Sequence, residues 1–142
     1  MPFPYEGKAQ ELRSAAKAAF FDTGSGLFVT DSTATELVNA FAIKTGVAEG
    51  EVAQHICQCL AEHSLVSCSL SMKCFVYDAL LKTDREKYKS FIIDDIRATY
   101  TPMLETGTVW ETVVGHADFD NAGSLCHGWS ATPIYYYNLL ND

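Results

Sequence analysis

The stretch "TATELVNAFAIKTGVAEGEVAQHICQCLAEH", residues 33–63, contains the pattern that decides the fold. "TATE" at 33–36 has the form of a capping box, in which Thr33 caps a helix and Glu36 reaches back to the cap. Apolar residues follow at helical spacing until Gly46, which ends the helix, and a second periodic segment covers roughly 49–63. Two helices with a short connection predict an antiparallel helical hairpin.

Similar segments lie on both sides of this hairpin. Residues 5–20 are rich in alanine, with Tyr5, Leu12, Ala16 and Phe20 about four apart, and "FFDTGSGLFV" then predicts a small β-hairpin or a compact connector. Further helices are expected near 70–82, from a second capping box "TDRE" at 83–86 to about residue 102, and from 130 or 132 onward. Six helices with mostly short loops predict an all-α fold of antiparallel helical hairpins, in a single domain over residues 1–142.

Composition narrows the classes of function. The net charge is −8 and the basic residues are scattered, so no concentrated basic surface for nucleic acid is expected. No apolar run approaches the roughly 20 residues of a membrane span, and a neutral carbohydrate is not repelled by an acidic protein. Five cysteines without a paired framework indicate reduced thiols, and the N-terminus lacks a secretory signal, so a cytoplasmic location is expected. No cofactor and no metal site are predicted, because the two thiols of "CQC" point about 200° apart on a helix.

The segment between residues 107 and 129 is the exception to the short connections. A loop longer than about 12–15 residues within a compact domain is usually functional or mobile. It contains Trp110 directly before Glu111, and then His127 directly before Gly128 and Trp129. A carboxylate beside an indole is partly desolvated, which favours acid–base work, and sugar rings stack on indole faces. The loop is therefore a candidate carbohydrate site.

Each of these residues also has a simpler interpretation. Glu111 could be an ordinary exposed loop residue, and His127 could fix the loop by bonding to nearby backbone. Trp129 could anchor the last helix in the core. His55 and His63 fall eight residues apart in a predicted helix and are expected to be structural.

Two motifs resemble a known family. "TVWETV" followed by "SLCHGWSATPIYYY" is similar to the C-terminal part of the catalytic domain of bacterial α-L-rhamnosidases, glycoside hydrolases built on a six-hairpin, or (α/α)6, toroid. "FFDTGSGLFVTDS", "TATELVNAFAIKTGVA" and "SMKCFVYDALLKTDREKYKSFI" resemble earlier stretches of the same domain. The likeness spans roughly residues 15–138 and implies about half of the toroid.

The resemblance also implies roles for the matching residues. Glu111 matches the general base of an inverting mechanism, which activates water on the sugar face opposite the leaving group. His127 matches a histidine that contacts the sugar or the base, and Trp110 and Trp129 would shape the pocket or bind the substrate. The segment that bears the general acid in the family has no match, so the isolated chain is expected to be inactive or weak. Half a toroid would expose apolar surface, which predicts a homo-oligomer or association with a complementary half-domain.

Two other functions remain open from the sequence. The chain could be a non-catalytic helical module that binds a carbohydrate or a protein, with the two tryptophans as anchors. It could also be a purely structural array of helical hairpins, in which the long loop has no role.

Overall fold

A computed structural model describes residues 5–141, and the predicted all-α fold is confirmed over this part of the chain. The elements in chain order are α1 (Glu6–Phe20), β1 (Phe21–Asp22), β2 (Leu27–Phe28), α2 (Glu36–Lys44), α3 (Gly50–Ala61), α4 (Lys73–Tyr100) and α5 (Thr132–Asn141). Strands β1 and β2 pair antiparallel, so the Gly-rich segment forms the expected small hairpin. Within residues 5–141, no helix is both long and apolar enough to span a membrane.

Helix α4 is interrupted at Asp84, whose backbone has φ −159° and ψ 97°. A hydrogen bond across the interruption shows that the chain reverses there. The Tyr77 hydroxyl donates to Asp95, 18 residues later, at 2.6 Å, whereas a straight helix would separate the two residues by about 27 Å. The two segments of α4 therefore form a helical hairpin, as the second capping box predicted. The cap itself lies one residue later than expected. The Asp84 carboxylate accepts from Lys87 N at 3.0 Å, while the Thr83 hydroxyl donates to Ala79 O.

The first capping box was predicted wrongly in its details. The Thr35 hydroxyl, and not that of Thr33, caps α2 by accepting a hydrogen bond from Val38 N. Glu36 does not reach back to the cap, because its side chain is completely buried and accepts a 3.0 Å bond from Cys68 N. The Lys73 ammonium lies 3.4 Å from both carboxylate oxygens of Glu36 and is itself buried. A buried ion pair has thus replaced the bond to the cap that was expected of Glu36.

A second buried polar side chain ties α2 to the β-hairpin. The Asn39 side chain accepts from Phe28 N and donates to Phe28 O, both at 2.9 Å. It therefore supplies hydrogen bonds to both backbone groups of Phe28 in β2. Around these groups the buried apolar residues form one cluster, to which α2, α3, both segments of α4, and α5 contribute. The packing of α2 against α4 therefore forms the centre of the fold.

Helix α1 lies on the surface of the protein. None of its residues 6–20 is buried, and the expected apolar face is exposed at Leu12 and Phe20. A polar contact joins α1 to the residue that follows α2, since the Arg13 guanidinium donates to Thr45 O at 2.9 Å. Regular spacing of a few large apolar residues in an alanine-rich segment thus predicted the helix, and the structure shows that none of these residues is buried.

The long loop is compact. Its two sides run next to each other, with Glu111 N donating to Ser124 O at 2.9 Å, His127 N to Val109 O at 2.8 Å, and the Thr108 hydroxyl to Leu125 O. Two glycines make this possible, because a Cβ on Gly123 would lie 2.0 Å from the backbone oxygen of Gly115. Gly115 has φ +61° and packs directly against the indole of Trp110. The backbone fixes this loop, so it is not a structureless segment.

Replacing Lys73 by Met is expected to destabilise the protein by about 3–5 kcal/mol, because the fully buried Glu36 carboxylate would lose its cation. Urea unfolding measures the effect. Lys8→Met is the control, since the pair of Lys8 with Glu11 is exposed and is worth about 0.2–1 kcal/mol at most. Equal midpoints for both variants would show that the Glu36–Lys73 pair does not contribute to the fold.

Gly123→Ala is expected to destabilise the loop by about 1–3 kcal/mol, since the new methyl group would collide with the Gly115 backbone. Hydrogen exchange of the Glu111 amide, which bonds to Ser124 O, should become faster. Gly128→Ala is the matched control, because no atom lies within 4 Å of a Cβ there, and its effect should stay within about 0.5 kcal/mol. Unchanged protection of the Glu111 amide in Gly123→Ala would contradict this account of the loop.

Candidate functional site

A cleft of about 430 Å³ lies between the long loop and the first turns of α4, and its size falls within the range of about 300–1,000 Å³ typical of small-molecule sites. One wall consists of loop residues 111–113, and the other comes from the end of α3, the connection that follows it, and both segments of α4. The lining residues are His63, Ser67, Cys68, Ser69, Leu70, Lys73, Asp95, Thr99, Glu111, Thr112 and Val113.

Glu111 belongs to the extended part of the loop. Its amide donates to Ser124 O at 2.9 Å, and its carboxylate accepts from Ser124 N at 3.3 Å. Both contacts are with the backbone of Ser124 on the other side of the loop. The backbone of this one residue thus holds both the main chain and the carboxylate of Glu111. The arrangement presents a half-buried carboxylate to the cleft, where it can accept a proton or a hydrogen bond.

The opposite wall contains a second carboxylate. The side chain of Asp95 is only 8% exposed, and the oxygen that accepts from the Tyr77 hydroxyl lies 3.8 Å from the Lys73 ammonium. Lys73 thus lies between Glu36 and Asp95 and links the buried ion pair of the core to the surface of the cleft. The cleft thus has the Glu111 carboxylate on one wall and the Asp95 carboxylate on the other. The Lys73 ammonium lies between Asp95 and the buried Glu36.

Burial keeps two neighbouring groups in their protonated forms. Desolvation, followed by the charge of Glu36, raises the pKa of the Cys68 thiol to about 12, so at neutral pH this cleft residue is not a thiolate nucleophile. Desolvation, followed by the charge of Asp95, raises the pKa of the Tyr77 phenol well above its usual range. Tyr77 therefore remains a hydrogen-bond donor to Asp95.

Of the four residues predicted from the sequence, Glu111 lines this cleft. Trp110 turns the other way, packs on Gly115, and donates from its indole nitrogen to the Thr106 hydroxyl at 2.7 Å. His127 contributes backbone bonds to the loop, donating to Val109 O and accepting from Ser130 N. Trp129 is 78% exposed, so it does not anchor α5 in the core. The binding roles of Trp110, His127 and Trp129 stay predictions.

Three residues of the cleft were missed in the sequence. His63 was interpreted as structural, and Lys73 and Asp95 were given no role, yet all three line the wall opposite Glu111. A signal for two of them was present. Lys73 and Asp95 each fall at helical spacing from buried apolar residues of α4, so each is a charged group on an apolar face.

No group of three or more histidine, cysteine, aspartate or glutamate side chains within residues 5–141 is arranged to hold a metal ion. Of the cleft carboxylates, Glu111 accepts from a backbone amide, while Asp95 accepts from a phenol and lies 3.8 Å from the Lys73 ammonium.

No family model matches the sequence, and no curated protein gives a significant match. Solved structures do match. A GH78 family rhamnosidase of Bacillus sp. GL1 has a TM-score of 0.78 and 25% identity, over 94% of this chain and 16% of that chain. A rhamnosidase from Klebsiella oxytoca with rhamnose bound has a TM-score of 0.78 and 22% identity, over 97% of this chain and 29% of that chain.

The chain thus spans less than a third of either rhamnosidase, while nearly all of it is covered by the match. The chain therefore resembles a part of the architecture of a glycoside hydrolase. In structure, the chain is similar to one part of a GH78 family rhamnosidase and of a second rhamnosidase, which confirms the resemblance that the sequence predicted.

Proposed function

We propose that the cleft is the part of an α-L-rhamnosidase site that supplies the general base, and that Glu111 is this base. The observation that carries the proposal is the position of Glu111, which lies on the wall of a cleft of small-molecule size in a chain that resembles rhamnosidases. A sugar with several hydroxyl groups suits a cleft lined by carboxylate, hydroxyl and backbone groups.

In the proposed mechanism, Glu111 removes a proton from a water molecule that attacks the anomeric carbon on the face opposite the leaving group. The carboxylate is suited to this role because backbone bonds to Ser124 fix its direction. In an inverting enzyme a second carboxyl group stands about 6.5–9.5 Å away and protonates the leaving oxygen. The sequence motif that bears this acid in the family has no counterpart among the residues of the chain, so hydrolysis is proposed only for an assembly that supplies it.

Association with further structure is part of the proposal. Leu104, Ile134 and Tyr137 are large, exposed apolar residues that border neighbouring hollows around the start of α5. Exposed apolar patches favour association in water. They support the proposal that the chain pairs with a complementary half-domain or with a second copy.

A non-catalytic sugar-binding module is the second candidate. The exposed indole of Trp129 supports it, since an exposed tryptophan provides a stacking surface without any requirement for a general acid. The two candidates differ in the role of Glu111, which is essential for turnover in the first and only one hydrogen-bonding group among several in the second.

Glu111→Gln is expected to lower the hydrolysis of an aryl α-L-rhamnoside by about 10²–10⁴-fold when the complementary half-domain is supplied, because the amide cannot accept the proton of the water. Binding of L-rhamnose, followed by tryptophan fluorescence, should persist, since the amide keeps the size and an acceptor oxygen of the carboxylate. Glu105→Gln is the matched control, because Glu105 is exposed, lies six residues earlier, and does not line the cleft.

Three outcomes separate the candidates. Wild-type turnover in Glu111→Gln would show that Glu111 is not the base. Binding of L-rhamnose without turnover in any assembly would favour the non-catalytic module. If L-rhamnose did not bind to the wild-type chain at all, the proposal of a rhamnoside site would be wrong.

A further inference from the structure

His63 occupies a backbone position that normally favours glycine. It follows the end of α3 with φ +50°, which is the left-handed region. His63 N donates to Leu60 O at 3.3 Å, and Ser64 N donates to Cys59 O at 3.1 Å. These two bonds are those of a Schellman motif, in which the residue at the position of His63 is usually glycine. The local fold therefore has no need of a histidine here, and a side chain at this position is strained.

The side chain of His63 lies at the mouth of the cleft. Its ring contacts the ring of Phe91, with centroids 5.6 Å apart, and its Nε2 lies 3.8 Å from the Oδ1 of Asp95. Half of the side chain is exposed, and the imidazole lines the cleft opposite Glu111. Within residues 5–141, neither ring nitrogen makes a hydrogen bond to protein.

Asp95 limits the orientations available to this imidazole. The Oδ2 atom of Asp95 accepts a hydrogen bond from the Tyr77 hydroxyl and lies 3.8 Å from the Lys73 ammonium. These contacts hold the carboxylate with its Oδ1 atom toward His63. The 3.8 Å separation of Nε2 from Oδ1 is longer than a hydrogen bond, so Asp95 attracts this side of the ring electrostatically and both ring nitrogens remain available to a ligand. Phe91 limits the ring on a different side.

We propose that His63 is a substrate-binding residue that bonds a hydroxyl group of the sugar from the wall opposite Glu111, and that Asp95 is the positioning residue that orients its imidazole. This inference rests on the proposed function, since it assigns the second wall of the same cleft. It accounts for a strained, half-exposed and otherwise unbonded histidine in a place where the backbone favours glycine.

His63→Gly tests the proposal without harming the fold. Glycine relieves the left-handed strain, so the melting temperature should stay the same or rise by a few degrees. Affinity for L-rhamnose, measured by NMR titration, should fall about tenfold or more because a hydrogen bond to the ligand is lost. Asp95→Asn should also weaken binding, and more in KM than in kcat when turnover is measured with the complementary half-domain. His55→Gln is the matched control, because His55 lies on α3 eight residues before His63, bonds Ser25 O, and is not part of the cleft.

The outcomes distinguish this inference from the proposed function. Weaker binding in His63→Gly, with an intact melting temperature and normal binding in His55→Gln, supports it. Normal binding in His63→Gly overturns it while the proposal for Glu111 stands. A fall in the melting temperature of His63→Gly without a loss of affinity would show that the histidine is structural. Absence of L-rhamnose binding to the wild-type chain would overturn both proposals.

Discussion

The buried pair of Glu36 and Lys73 is the interaction on which the rest of the structure depends. Glu36 lies at the first position of α2 and Lys73 at the first position of α4, so the pair joins the starts of the two helices that pack most closely. The same carboxylate accepts from Cys68 N and thereby fixes the connection that forms one edge of the cleft. Because removing one partner would leave an uncompensated charge in the core, this arrangement permits little alternative packing.

The ion pair also connects the core to the cleft. Lys73 lies 3.8 Å from Asp95, which comes from the second segment of α4 and is near only because the chain reverses at Asp84. Asp95 then bonds the Tyr77 hydroxyl, which belongs to the first segment. A network of Glu36, Lys73, Asp95 and Tyr77 therefore links the two halves of α4, and two of its members, Lys73 and Asp95, line the cleft.

The elements themselves were largely predictable from the sequence, because each depends on local spacing. Apolar residues three and four apart located α2, α3 and both halves of α4, and Gly46 marked the end of α2 correctly. The capping box "TATE" was misinterpreted because Glu36 can either cap the helix locally or form a buried ion pair. A glutamate three residues after Thr33 fits a local cap, and the same glutamate fits a buried ion pair with a residue 37 positions later. Local sequence contains no information about the second partner.

Only one wall of the cleft was predictable, because local sequence does not show which distant residues pack together. Glu111 is part of the Trp-Glu motif, whereas the opposite wall is assembled by tertiary packing from α4 and from the connection between α3 and α4. A usable signal existed on the helices. Glu36 precedes buried Asn39, Ala40 and Ile43 at spacings of three, four and seven, and Lys73 precedes buried Val76, Tyr77 and Leu80 at the same spacings. A charged residue at the head of an apolar stripe predicts a buried partner, although it does not say which one.

The two walls of the cleft are fixed by different means, and this difference bears on how the site would work. Backbone hydrogen bonds and the close contact of Gly115 with Gly123 fix the wall of Glu111, while buried charges fix the wall of Asp95 and His63. Neither wall requires a ligand to take up its shape, so the cost of ordering these groups is already met by folding. We explain a histidine in the left-handed region at the edge of such a preformed cleft by a ligand, because its contacts with Phe91 and Asp95 include no hydrogen bond and glycine would suit the backbone better.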